Sequence, residues 1–290
     1  MTAPDPRPAQ PPTLDEMTGE FAKIALSAGE LILTIYGRDF SVQTKADDTP
    51  LTEADTAAEA LIMNRLAALL PNIPVVAEEA VANGLKPVLA DRFILVDPLD
   101  GSKEFIARNG EFTVNIALIE HGVPVAGVVY APALGRIWWG SRTSGAFAAR
   151  VENHAMIETV PVKVRVAPKS GLMAIGSRSH GSGQADTRLD ALEITDFSTA
   201  GSSLKFCLLA EGAADLYPRF GRTMEWDTAA GDAILRAAGG HVIDMAGQPL
   251  RYGKCNQPAD SDFANCAFWA IGDGAIIRKV CGDATAVESQ

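Results

Sequence analysis

A short apolar run at 93–96, Phe-Ile-Leu-Val, is followed at once by Asp-Pro-Leu-Asp-Gly-Ser. Four consecutive large apolar residues are typical of a buried strand, so Asp97 and Asp100 leave the C-terminal end of a strand together, in the turn that follows it. Gly101 permits a tight turn, and Ser102 can begin a helix whose free N–H groups favour a phosphate. We therefore expect a turn that holds a hard cation and the phosphate it polarises, although these residue types also favour an ordinary solvated turn.

Glu78 and Glu79 form a second acidic candidate, directly after a strand predicted at 75–76. Glu78 suits a metal ion that is also bound by Asp97. Paired acids are more often simply solvated on a protein surface, so this pair is informative only together with the acidic turn.

Thr52 and Asp55 fit a capping box at the start of a helix predicted from about Glu53 to Leu70. A carboxylate held at a helix N-terminus can also orient an attacking water molecule if that helix end faces the metal ions. The structural role and the catalytic role are compatible, and the residues alone leave both open.

The sequence Trp-Asp-Thr-Ala-Ala-Gly at 226–231 begins another predicted helix. Asp227 fits the N-cap position of this helix, and as a metal ligand it would complete the acidic cluster. The small residues that follow would let the helix approach another backbone closely, which holds such a ligand rigidly.

The overall charge disfavours a general affinity for nucleic acid. There are 25 Lys and Arg residues against 36 Asp and Glu, a formal net charge of −11, whereas nucleic-acid binding needs a basic face. A phosphorylated ligand would need local neutralisation, which carboxylate-bound metal ions provide.

The four cysteines have no CxxC spacing and no long uncharged apolar run occurs, so we expect reduced thiols, a cytoplasmic location and no membrane span. Association with the inner face of the membrane and the oligomeric state are left open.

The length of 290 residues and the hydrophobic fraction of 47% allow one large domain or two lobes. Apolar spacing predicts a helix at 14–36 and hairpin-linked antiparallel strands within 112–149. Mixed elements follow, with strands predicted at 172–175, 193–197, 214–217 and 241–243 and helices at 203–211, 227–238 and 274–280. We expect a disordered proline-rich lead-in at 1–12, an N-terminal α+β lobe at 13–150 and an α/β lobe at 151–290.

Three motifs together resemble the inositol monophosphatase superfamily: the acidic pair at 78–79, the turn at 97–102 and the helix start at 226–231. Their order and separations match that family's pattern, and the resemblance extends from about Leu14 to Ala270. Further segments resemble its CysQ branch of bisphosphate nucleotidases, and they lie at 102–105, 109–115, 177–180, 201–206 and 217–219. The resemblance implies a layered αβαβα sandwich and the hydrolysis of adenosine 3′,5′-bisphosphate to AMP and phosphate.

The resemblance also implies roles for individual residues. One magnesium ion would be bound by Glu78, Asp97 and the Leu99 carbonyl, and a second by Asp97, Asp100 and Asp227, with two or three ions in the active site. Asp55, with Thr52 beside it, would orient the attacking water. The implied substrate-binding residues are Glu78, Leu99, Asp100, Gly101, Ser102, Ser177, Arg178, His180, Gly201, Lys205, Arg219 and Asp227.

Two positions depart from the family pattern, Ser102 where threonine is usual and Arg222 where the branch often has proline. Ser102 keeps the hydroxyl, whereas Arg222 leaves the shape of the substrate-side loop open. The metal core does not read the leaving group, so an inositol or sugar monophosphatase of the same superfamily is the alternative. A non-enzymatic acidic cation-binding protein is less favoured because the acidic set is intact.

Overall fold

A computed structural model of the chain describes residues 12–44, 50–177, 189 and 192–281. Two helices predicted from the sequence are confirmed in its N-terminal part. α1 (Leu14–Tyr36) starts with a capping box and ends at Gly37. β1 (Val42–Thr44) and β2 (Pro50–Thr52) form a short antiparallel pair, and α2 (Glu53–Leu69) follows. The predicted lead-in lies, except for residue 12, outside the described residues.

The larger sheet has seven strands in the order β3-β4-β5-β6-β7-β8-β9. These are β3 (Val75–Ala77), β4 (Arg92–Asp100), β5 (Thr113–Glu120), β6 (Val123–Ala131), β7 (Arg136–Ser141), β8 (Gly145–Glu152) and β9 (Ala155–Val162). Only the β3–β4 pair is parallel, and the predicted antiparallel hairpins are confirmed as β5 to β8. β9 escapes sequence analysis because most of its side chains are exposed and show no apolar alternation.

The predicted lobe boundary at residue 150 falls inside β8, because the sheet continues as far as Val162. The division of the chain into two lobes remains a prediction.

A smaller sheet has the order β11-β10-β12-β16-β14. It contains β10 (Leu172–Ser177), β11 (Ile194–Ala200), β12 (Leu216–Arg219), β14 (His241–Asp244) and β16 (Phe268–Ile271), while β13 (Thr223–Met224) pairs with β15 (Ala264–Asn265). Parallel and antiparallel neighbours are mixed in it, as expected of an α/β segment.

The remaining helices occupy positions that follow from their apolar faces. They are α3 (Glu78–Ala82), α4 (Ser102–Ile106), α5 (Leu204–Ala210), α6 (Glu225–Ala237) and α7 (Ile277–Cys281). α1 and α2 bury Phe21 and Ile62 against one face of the larger sheet. α5 and α6 lie between the two sheets, and α7 covers the outer face of the smaller one. The predicted αβαβα sandwich is therefore confirmed.

The central helix α6 packs unusually close to the larger sheet. A Cβ atom placed on Gly127 of β6 would lie 2.6 Å from the Ala230 carbonyl oxygen, and one on Gly231 would lie 2.5 Å from the Phe206 ring. Such distances leave no room for a side chain, which explains the small residues that follow Asp227. In the part of the chain that the structure describes, no helix is long and apolar enough to cross a membrane.

Candidate active site

The end of β4 brings two aspartates to a cleft of about 220 Å³. β4 pairs with β5 so that Asp97 faces Asn115 and Asp100 faces Thr113, with a register shift between the two aspartates. The strand therefore extends to Asp100, and both carboxylates belong to its last residues rather than to a separate turn. The Leu99 amide donates to Asp97 Oδ1 at 3.0 Å, which fixes the buried Asp97 side chain.

Gly101 is required at the turn by its backbone geometry. Its φ of 96° lies in the left-handed region, and an added Cβ would come within 3.2 Å of the Glu111 carbonyl oxygen. Ser102 then begins α4, as predicted, and Ser102 Oγ donates to Asp55 Oδ1 at 2.9 Å. This bond joins the turn at Gly101 to the start of α2.

The capping box at the start of α2 is confirmed. The Thr52 backbone amide and hydroxyl donate to Asp55 Oδ2 at 2.8 and 2.6 Å, and both side chains are about 1% exposed. Asp55 consequently serves the helix with one oxygen while its other oxygen accepts from Ser102. The structural role and contact with the candidate site coexist in this single carboxylate.

Glu78 reaches the same cleft because β3 lies beside β4. The parallel register pairs Ala77 with Val96, so the residues that follow them, Glu78 at the start of α3 and Asp97 of β4, lie at the same edge of the sheet. Glu79 is buried, and its amide donates to Glu59 Oε2 of α2 at 2.8 Å. Of the predicted acidic pair, only Glu78 lines the cleft.

Asp227 occupies the third position of α6 rather than the predicted N-cap, which is Met224. From this position Asp227 Oδ2 accepts a hydrogen bond from the Met224 amide at 2.8 Å. Asn265 Nδ2 donates to the Met224 carbonyl at 2.8 Å and to Thr228 Oγ1 at 3.0 Å, which holds this helix start in place. Asp227 itself lines the cleft.

The carboxylates that line the cleft repel one another, and a bound cation would relieve this repulsion. Desolvation raises the pKa of Asp227 well above its ordinary value, and the charges of Asp100 and Glu78 raise it further. Desolvation also raises the pKa of Asp100, against the Lys205 charge and several hydrogen bonds. Among the described residues, no group of three or more His, Cys, Asp or Glu side chains has the arrangement of a ready-made metal site. The donor chemistry nevertheless fits magnesium, because carboxylate and carbonyl oxygens are its usual ligands.

Two buried basic residues also line the cleft. Lys205 is only 4% exposed, and its Nζ donates to the carbonyls of Ala200 and Ser202 at 3.1 and 2.6 Å. Burial lowers the pKa of Lys205 to about 8. Arg219 is 8% exposed, donates through Nη2 to the Arg222 carbonyl at 2.9 Å, and has a buried Nε without a partner. An arginine left this incompletely satisfied suits an anion.

The cleft brings together ten of the predicted residues: Glu78, Asp97, Leu99, Asp100, Gly101, Ser102, Ser177, Lys205, Arg219 and Asp227. Gly201 instead packs against Glu111, whose Oε2 accepts from the Gly201 amide at 2.7 Å. Arg178 and His180 lie outside the described residues. The exposed side chain of Arg222 pairs with Asp260 at 3.0 Å.

Sequence reasoning did not assign a site role to several residues that the structure places here. Lys103, Glu104 and Ser202 line the cleft, and Asn115 and Ser203 contact Asp100. All five lie inside the segments 102–105, 109–115 and 201–206 that resemble the CysQ branch, which is the signal that could have found them. The contacts of Asn115 and Ser203 with Asp100 cannot be read from that signal, because a buried hydrogen bond to an aspartate leaves no spacing pattern.

The inositol monophosphatase family model matches residues 13–276 of the chain. The 3′(2′),5′-bisphosphate nucleotidase CysQ of Escherichia coli O157:H7 is 44% identical over 240 residues, covering 81% of this chain and 94% of that protein. CysQ of Buchnera aphidicola is 39% identical over 257 residues, covering 88% and 93%. The crystal structure of CysQ from Bacteroides thetaiotaomicron has 36% identity and a TM-score of 0.69 over 90% of this chain and 99% of that one. An IMPase from Thermotoga maritima, at 24% identity, shares the fold with a TM-score of 0.72 over 92% and 96%. The chain therefore belongs to the inositol monophosphatase family.

Proposed function

We propose that the chain is a magnesium-dependent phosphatase that hydrolyses adenosine 3′,5′-bisphosphate to AMP and phosphate. The observation that carries the proposal is a single cleft lined both by the four carboxylates of the predicted metal site and by two buried basic residues, Lys205 and Arg219. A substrate with two phosphates uses both groups, one phosphate at the metal ions and one at the basic residues. The names of the CysQ relatives support the same substrate.

The phosphate that is cleaved binds beside the carboxylates of the cleft. Magnesium, two or three ions in our proposal, would polarise the phosphate as a Lewis acid and lower the pKa of bound water. The residues that would hold it are Glu78, Asp97, the Leu99 carbonyl, Asp100 and Asp227.

Proton handling falls to the carboxylate of α2. Asp55 orients the attacking water and takes up its proton, while Thr52 keeps the carboxylate in place through two hydrogen bonds. The backbone amides of Gly101 and Ser102 receive the phosphate oxygens at the start of α4. Water attacks the phosphorus in line with the 3′-oxygen of the ribose, the P–O bond to that oxygen breaks, and the oxygen takes a proton and leaves as the 3′-hydroxyl of AMP. No covalent intermediate with the protein is needed.

The basic residues of the cleft hold the rest of the nucleotide. Lys205 and Arg219 pair with the second phosphate, and Ser177 lines the cleft at the end of β10. Arg178 and His180 remain predicted ligands of the nucleotide. We also propose a cytoplasmic location, since the substrate is a small phosphorylated nucleotide of the cell interior.

The test is phosphate release from adenosine 3′,5′-bisphosphate, inositol 1-phosphate and fructose 1,6-bisphosphate at equal concentration, with magnesium and with EDTA. We expect the bisphosphate nucleotide to give the highest kcat/KM and EDTA to abolish release. A higher kcat/KM for inositol 1-phosphate would replace this assignment with the monophosphatase alternative. No magnesium-dependent release from any of them would refute a phosphatase.

A further inference from the structure

A chain of polar side chains, all buried except the half-buried Ser202, leads from the loop before α5 to the Asp100 carboxylate. Ser202 Oγ and Thr113 Oγ1 are 2.6 Å apart, and Thr113 Oγ1 donates to Asn115 Oδ1 at 2.9 Å. Asn115 Nδ2 then donates to Asp100 Oδ2 at 3.3 Å and to Ser203 Oγ at 2.9 Å. We call Ser202, Thr113, Asn115 and Ser203 the polar relay.

The direction of the polar relay follows from the chemistry of its ends. An ionised carboxylate only accepts hydrogen bonds, so the amide nitrogen of Asn115 must face Asp100. That orientation turns Oδ1 toward Thr113, whose hydroxyl must then donate. Each bond upstream therefore fixes which atom Asn115 presents to Asp100.

Ser203, at the start of α5, contacts two candidate metal ligands, Asp100 through its side chain and Asp227 through its backbone carbonyl. Its hydroxyl lies 2.9 Å from Asp100 Oδ2 and 2.6 Å from the Asp227 carbonyl oxygen, while it accepts from Asn115. One hydroxyl hydrogen is shared between these two acceptors. Ser203 thus sets the spacing between the end of β4 and the start of α6.

Burial makes these contacts obligatory. Thr113, Asn115 and Ser203 are 0%, 1% and 1% exposed, so bulk water does not replace a lost partner. Ser202 has a φ of 51°, in the left-handed region that serine seldom adopts, and its hydroxyl also accepts from the Ser203 amide. The loop is held in this uncommon conformation at the point where it meets Asp100.

We infer that Asn115 and Ser203 are positioning residues that orient the Asp100 carboxylate for magnesium, and that Thr113 fixes the Asn115 amide for this task. The inference rests on the proposed function, in which Asp100 is a metal ligand. Outer partners of metal ligands commonly change metal affinity by about tenfold to a hundredfold when removed. Thr113 acts one bond further away, so its effect is smaller.

The experiment measures magnesium binding to the full-length protein by isothermal titration calorimetry without substrate. The variants are Ser203→Ala, Asn115→Ala, Thr113→Val and Thr113→Ser. Thr18→Val is the matched control, because Thr18 is a buried threonine of α1 whose hydroxyl donates to the Leu14 carbonyl far from the cleft in sequence and in fold. Thermal unfolding in EDTA checks that each variant is folded.

We expect Ser203→Ala and Asn115→Ala to weaken magnesium binding about tenfold or more, and Thr113→Val about threefold. Thr113→Ser keeps the donor and should restore most of the affinity. Raising the magnesium concentration should recover kcat in all three weakened variants, which a general packing defect would not allow.

Two results separate the failure of this inference from that of the proposed function. If the unaltered protein binds magnesium but folded Ser203→Ala and Thr113→Val bind it equally well, the positioning role is refuted. If Asn115→Ala does not fold, Ser203→Ala and Thr113→Val still test the positioning role. If the unaltered protein binds no magnesium, the proposed function fails first. Equal weakening in Thr18→Val would also overturn the inference, because the effect would then be unspecific.

Discussion

Raising the pH from 7 to 9 should selectively weaken the use of a bisphosphate nucleotide through the titration of Lys205. Burial lowers the pKa of this lysine to about 8, so its charge is lost within a range that leaves most proteins folded. The neutral amine can still donate to the carbonyls of Ala200 and Ser202, so the loop is retained. The change therefore removes the charge and little else.

The size of the effect follows from the pKa. A group with a pKa of about 8 is about nine-tenths protonated at pH 7 and about one-tenth at pH 9. If only the charged lysine binds the second phosphate, kcat/KM for the bisphosphate should fall about tenfold across this range. A substrate with one phosphate should not show this part of the pH dependence.

Stability should change in the opposite direction. The pKa of Lys205 is lower in the folded protein than in the unfolded chain, so the unfolded chain binds more protons between about pH 8 and 10.5. The free energy of unfolding should accordingly rise with pH in this window, by up to about 3 kcal/mol from this one group. Below pH 8 the contribution is constant, because the lysine is protonated in both states.

The assay compares kcat/KM for adenosine 3′,5′-bisphosphate and inositol 1-phosphate at pH 7, 8 and 9, in the unaltered protein and in Lys205→Met. The ratio of the two values removes pH effects on the metal-bound water, which both substrates share. Lys205→Met should show a low ratio at every pH. A ratio that stays constant in the unaltered protein would refute the role of the Lys205 charge, and so would an equal pH slope in Lys205→Met.

Three further changes test the remaining parts of the site. Asp100→Asn should lower kcat by at least about a hundredfold with the fold intact by circular dichroism, because it removes a ligand charge at the end of β4; near-normal turnover would take Asp100 out of the metal site. Ser102→Thr should be nearly neutral in kcat/KM, since the hydroxyl that donates to Asp55 is kept; a loss above about tenfold would show a pocket built around serine. Arg219→Gln should raise KM for the bisphosphate about tenfold, whereas Arg222→Gln, which loses an exposed ion pair, should change it less than about twofold. Equal effects of the two arginine changes would exclude Arg219 as a phosphate ligand.

Local patterns were sufficient to predict the elements that bear the acids. The apolar spacing of α1 and the capping box at Thr52 act over three or four residues, and both are confirmed. The N-cap role predicted for Asp227 was wrong, because the N-cap is Met224 and Asp227 lies three residues later, where its side chain accepts from the Met224 amide. The residue was found although its local geometry was not.

Contacts between distant parts of the chain were beyond such patterns. Taken alone in the sequence, Lys205 looks like a solvated cation, yet it is only 4% exposed and its ammonium lies 5.2 Å from the centre of the Tyr217 ring of β12. Asn115 and Ser203 are separated by 88 residues, and each is an ordinary polar residue in its own segment. Their roles arise only when β5 and the loop before α5 meet, which no spacing rule along the chain encodes.

The layers of the sandwich explain why the site depends on packing as much as on its acids. β4 supplies Asp97 and Asp100, α6 supplies Asp227, and the smaller sheet and its loops supply Ser203 and Arg219. The distance between the first two layers is set by the contact of Gly127 with Ala230, where even one added carbon atom would lie within 2.6 Å of a carbonyl oxygen. A chain with the same acids but larger side chains at this contact could form the same layers, yet β4 and α6 would stand further apart and Ser203 could not touch both. The small residues that follow Asp227 are therefore part of the site's geometry, although none of them contacts the cleft except Thr228.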